Sequence, residues 1–176
     1  MGKLITILML AFSLYNCGQT NAKNSKQTET PKTLVDTSLI AILPYSITQD
    51  WIFKNGEETS LTSQELVQTE ILLVRCINQY NPKQEEQFKK IDSKYPKYKL
   101  DKKSFLIDLT RYKWQYVPVI NRKGEKEVWI NCFCTAHNKD WKNELIMVKD
   151  GGDCYFNLKV NLTAGIYYDL SINGDV

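Results

Sequence analysis

The spacing of apolar side chains changes once along this chain, and that change limits the folds open to it more than any other feature. Thr62-x-x-Glu65 is a capping box, and Leu66, Val67, Leu73, Val74 and Ile77, with Ile71 between them, follow at three- to four-residue intervals. The spacing predicts a helix over residues 63–80. Asn81-Pro82 reads as a stop and restart, with Asn81 capping a short second helix through Phe88 and Ile91. From about Ser104 the period becomes two. Strand candidates are residues 104–109, 112–120, 126–136, 143–149, 154–162 and 166–172, with turn-like residues at 121–124, 137–140, 150–153 and 163–165 between them. One long helix followed by consecutive strands points to an α+β fold, the helix packed on one face of a curved antiparallel meander of about five strands.

That element order resembles cystatin-like folds. The resemblance rests on order alone, carries no motif and implies no activity. Residues 34–176 are long enough for a single domain with a core of its own. At its start, residues 34–47 and 51–53 are apolar enough to pack as short strands or extended segments, with Pro44 restricting one of them to a sheet edge.

Ahead of the domain, Lys3 precedes residues 4–14, eleven residues without a charge. A cationic tip before a short apolar run is the form of a secretory signal, and the run is too short to span a bilayer, which takes about 20 residues. Residues 1–16 are therefore expected to be a signal peptide. The junction Ser13-Leu14-Tyr15-Asn16-Cys17-Gly18-Gln19 resembles the lipobox of bacterial lipoproteins, in the SxxxCGQ form of exported lipoproteins of the Bacteroidota. Asn16 and the bulky Tyr15 depart from the small residues usual before the Cys. The resemblance implies a lipid on Cys17, a membrane partner through that lipid, and a place in the cell envelope at the outer membrane, on its periplasmic or surface face. Residues 17–33 are polar and read as a flexible tether.

Removing residues 1–16 leaves 22 basic and 20 acidic side chains. That balance, with no basic block interleaved with aromatics, argues against a nucleic-acid partner. Alternation places Cys154, Phe156, Leu158, Val160 and Leu162 toward a core, with Tyr155, Asn157, Lys159 and Asn161 toward water. Residues 126–136 break the rule, because Val128, Ile130, Cys132 and Cys134 share one side while Trp129 and Phe133 occupy the other. Something covers that second side. It is either the 34–53 segment with Trp51 and Phe53, or a partner or ligand held by an aromatic patch of Trp114, Tyr116, Trp129 and Phe133. Exposure of Trp129 separates the two.

Four cysteines remain beyond Cys17, an even number that permits up to two disulfides in an oxidising compartment. Pairing of Cys132 or Cys134 with Cys154 or Cys76 is compatible with strand geometry, and four buried free thiols are the other reading. A metal reading also exists, in which Cys132, Cys134, His137 and Cys154 offer three thiolates and an imidazole to zinc. No nucleophile elbow, glycine-rich phosphate loop or Cys-x-x-Cys is present. Carboxylates such as Asp108 and Asp169 could pair in space for glycoside chemistry. The functional expectation is a non-catalytic binding or interaction module that takes an envelope protein or small ligand and needs no cofactor. The alternatives are a small envelope hydrolase using paired carboxylates and a metal- or thiol-dependent protein.

Overall fold

The computed structural model describes residues 36–48, 51–137 and 140–173, all within one unit, Thr33–Val176. The leader, Cys17 and the tether lie outside the described residues. The capping box forms as the sequence predicts. The Thr62 side chain accepts from Glu65 N–H, and the Glu65 carboxylate accepts from Thr62 N–H at 2.8 Å and holds Lys126 at 2.7 Å. From this start helix α1 runs over Ser63–Lys94 without a break.

The expected stop at Asn81-Pro82 is therefore corrected to one 32-residue helix. The Asn81 side chain caps nothing. Its amide exchanges two hydrogen bonds with the backbone of Ile107, both at 2.9 Å. Pro82 lies in the helix interior, where its missing N–H costs one helical bond at an exposed position. Contacts beyond it hold the second half in place, with Phe88 edge-on to Phe105 and Glu85 paired with Lys102 at 2.6 Å.

Among the described residues the fold is α+β, with α1 against a sheet of six strands. Strands β3 (Lys113–Ile120), β4 (Lys126–Phe133), β5 (Tyr155–Asn161) and β6 (Ile166–Ile172) form the antiparallel meander. Two short strands share the free edge of β3. β1 (Ile40–Ile42) runs parallel to residues 114–116, and β2 (Glu57–Glu58) runs antiparallel to residues 119–120. Pro118 falls between those two stretches, where β3 has no N–H to offer an edge partner.

Two strand candidates are corrected. Residues 104–109 fold into 3-10 turns at Lys102–Phe105 and Leu109–Arg111, because the carboxylates of Asp101 and Asp108 accept from the backbone N–H two residues on. Residues 143–149 form no strand, because side chains of the sheet take their backbone groups. Gln115 Nε2 donates to the Trp141 and Glu144 carbonyls, Ile146 N–H donates to Gln115 Oε1, and Asn131 Nδ2 donates to the Ile146 carbonyl. β4 also stops at Phe133, short of the expected residue 136.

Both faces of the sheet are covered. On one, Leu72, Leu73, Cys76 and Ile77 of α1 pack on Tyr116, Ile130, Cys132, Leu158 and Val160, each fully buried aliphatic side chain contributing about 1.5–3 kcal/mol. On the other, Ala41, Leu43, Ile52 and Phe53 cover Val117, Val119 and Trp129, while Ile146 covers Phe133 and Tyr155. The back of β5 is thus not turned to water as its alternation suggests, since Tyr155 and Asn161 are buried.

Candidate functional site

The aromatic patch does not assemble. Strand register pairs Trp114 with Cys132 and Tyr116 with Ile130, which sets Trp114 and Tyr116 toward α1 and leaves Trp129 and Phe133 on the opposite face. Trp129 is 2% exposed, stands edge-on to Trp51 at 5.7 Å and donates its indole N–H to Asn157 Oδ1 at 3.1 Å. Phe133 packs with Ile146, Tyr155 and Trp141. Ala41, Leu43, Trp51, Ile52 and Phe53 are the cover over Trp129.

The cysteines form two separate neighbourhoods. Cys76 and Cys132 are buried in the core under α1, and burial pushes their thiols up, that of Cys76 to about 11. Cys134 and Cys154 meet at the mouth of the β4–β5 pair, where Cys134 N–H donates to the Cys154 carbonyl at 3.0 Å. Burial, then its contact with Cys154, pushes the Cys134 thiol up to about 12. All four thiols are free. His137 turns to Tyr155, stacked on its ring with Nε2 at 2.8 Å from the phenol oxygen. Among the described residues no three His, Cys, Asp or Glu side chains are placed to hold a metal ion. The four-residue ligand set is thus not brought together.

The carboxylate pair is not assembled either. Asp108 caps its 3-10 turn and is held low by hydrogen bonds from Thr110. Asp169, at a left-handed bulge position of β6, pairs with Lys159 at 3.1 Å.

What the sequence did not single out is a cleft of about 400 Å³ between α1 and β3. Three elements and a turn build it by their own periodicities. Glu70, Leu73 and Val74 lie three and four apart on α1, Trp114 and Tyr116 two apart on β3, Asp36 and Leu39 precede β1, and Leu109 and Thr110 supply the turn. Asp36, Leu39 and β1 are held there by the parallel pairing of Ile40 with Trp114. Three polar groups lie in this apolar setting. Glu70 is 8% exposed, and burial alone pushes its carboxyl up to about 7. The Trp114 Nε1 and Tyr116 Oη atoms are buried with no hydrogen-bond partner. Buried polar groups are nearly always satisfied, and two exceptions beside a raised carboxyl in one cleft mark a place where something else supplies the bonds. The signal for Glu70 was present in the sequence. It lies four residues after Leu66 and three before Leu73, a carboxylate on the apolar stripe of a helix.

A second, more open cleft of about 540 Å³ is lined by Asp101, Lys103, Ser104, Leu106, Asp108, Arg111 and Asp153. Two of its three carboxylates are occupied as turn caps, while Asp153 Oδ2 is buried without a partner. No protein-family model matches this chain, and no curated protein or solved structure does either. The likeness to cystatin-like folds therefore stays one of element order.

Proposed function

We propose that this chain is an exported lipoprotein, tethered through Cys17 to the outer membrane, whose folded domain binds a small molecule without transforming it. The leader and the SxxxCGQ junction support the first half. The observation that carries the second is the α1–β3 cleft, a mostly apolar space of a size that small-molecule sites occupy, with the Glu70 carboxyl in its wall and Trp114 Nε1 and Tyr116 Oη unpartnered beside it. Its apolar walls suit retention of a ligand better than the many polar contacts that sugar hydrolysis demands.

Two measurements test this. Intact mass of the protein made in a Bacteroidota host should show an acylated N-terminus at Cys17; cleavage elsewhere overturns the anchor. A fragment screen by ligand-observed NMR on the full chain should give hits that vanish in Val74→Trp, which places a large ring at the exposed cleft mouth. Hits that persist in that variant overturn the site.

One observation favours the hydrolase alternative. Asp36 shares the cleft with Glu70, and the two carboxyls are pushed apart, Glu70 up by burial and Asp36 down by hydrogen bonds from Ser38. A hydrolase requires turnover of a glycoside substrate that is lost in both Glu70→Gln and Asp36→Asn. Absence of turnover in the wild-type chain removes this reading.

A further inference from the structure

The charges and orphaned atoms of the α1–β3 cleft narrow what it binds, an inference that rests on the binding reading above and names its ligand class. Among the described residues, the two charged ones that line it, Asp36 and Glu70, are both acids, and no Lys or Arg lines it. Leu39, Leu73, Val74 and Leu109 supply apolar wall. Tyr116 Oη and Trp114 Nε1 are buried without a hydrogen-bond partner, and burial is what raises the Glu70 carboxyl. We propose that this cleft takes an organic ammonium, a protonated amine on an apolar body. The ammonium has only donors to give. One N–H goes to the Glu70 carboxylate and one to the lone pair of Tyr116 Oη, both of them groups of cleft-lining residues. The indole N–H of Trp114 is left for an acceptor oxygen on the ligand, so an amino alcohol satisfies more of the cleft than a bare alkylamine. An anion would instead meet two carboxylates, and an alcohol would leave the Glu70 charge buried without a counter-ion.

The groups facing Glu70 make the pH dependence specific. Tyr116 on β3, with the thiol of Cys132 beside it, is pushed upward by burial and stays neutral. Asp36, ahead of β1, is held low and stays ionised. Glu70 itself is raised to about 7 by burial. An alkylammonium keeps its charge to about pH 10, so between about pH 6 and 8 the group that changes is Glu70, and affinity rises with pH.

Isothermal titration of the full chain with hexylamine, hexanol and hexanoate at about pH 6 and 8 tests this. At the higher pH hexylamine is expected to bind about tenfold or more tighter than the other two, with the advantage shrinking at the lower pH. Glu70→Gln, checked for its fold by circular dichroism, should erase the preference. The wild-type pH profile reads the same charge without any variant. Hexanol or hexanoate binding as tightly as hexylamine, a preference that survives in Glu70→Gln, or a preference that does not grow with pH overturns the ammonium while leaving the cleft as a site. Silence from all three probes overturns it too, and the fragment screen with Val74→Trp then decides the binding reading by itself.

Discussion

The side-chain amides of Gln115 and Asn131 face each other across β3 and β4, Asn131 Nδ2 donating to Gln115 Oε1 at 3.0 Å on the sheet face turned away from α1. Together they hold the 141–146 loop by four hydrogen bonds to its backbone. Replacing Gln115 with Leu strands the Ile146 N–H and the Trp141 and Glu144 carbonyls, with an expected cost of about 2–4 kcal/mol. Urea unfolding measures the loss, and amide exchange at Ile146 should accelerate beyond that of β4. An unchanged midpoint would mean that the loop holds itself.

This network explains one failure of the sequence reading. Residues 143–149 alternate like a strand, but alternation does not reveal that two amides from distant strands will take their backbone groups. The 104–109 stretch misleads in the same way, because Asp101 and Asp108 capture local N–H groups and close turns. Where local signals and tertiary packing agree, the sequence was legible. The Thr62–Glu65 box starts α1 where expected, and β6 spans Ile166–Ile172 as its alternation predicts. The candidate site was half legible. Trp114 and Tyr116 were singled out, but grouping them with Trp129 and Phe133 needed the β3–β4 register, which puts Trp114 opposite Cys132 and so separates the two pairs. Asn81-Pro82 reads as a boundary only if Asn81 is free to cap, and its amide is bound to Ile107.

Pro82 inside α1 gives a prediction of opposite sign. Pro82→Ala restores the N–H and a helical bond to the Asn78 carbonyl, at the cost of a more flexible unfolded chain. A net gain of about 1–2 kcal/mol is expected in urea unfolding. A loss would show that the ring is needed for the helix to pack.

Glu70 links stability to pH. Its carboxyl titrates near 4.5 in an unfolded chain and about 7 in the fold. Between those values the folded state holds more protons, so stability is full at acid pH, falls as pH rises to about 7, and is level above. Glu70→Gln lacks that fall. Because the carboxylate keeps some contact with water at the cleft, the variant should exceed the wild type by only about 1–2 kcal/mol at pH 8 and match it at pH 4. A difference independent of pH would place the effect in packing instead.

Cys134 and Cys154 stand across from each other at the end of the β4–β5 ladder, at a spacing of about 5.5 Å between Cα atoms for such a pair, which a disulfide spans. Given a thiol–disulfide oxidant, the two thiols are expected to give up two electrons and two protons to it and join. Cys76 and Cys132, sealed under α1, should stay reduced. Peptide mapping without reduction would show the 134–154 link. A 76–132 link, or four free thiols after oxidation, would contradict it.

The central claim is that the space between α1 and β3 receives a ligand, and Trp114 reports on it directly. Its indole N–H is unpartnered, whereas that of Trp129 is bonded to Asn157 on the far side of the sheet. In a two-dimensional ¹⁵N spectrum of the full chain titrated with hexylamine, the Trp114 indole resonance should move and saturate while that of Trp129 stays in place. Movement of Trp129 with Trp114 unchanged, or four indole signals that never shift, would contradict the account.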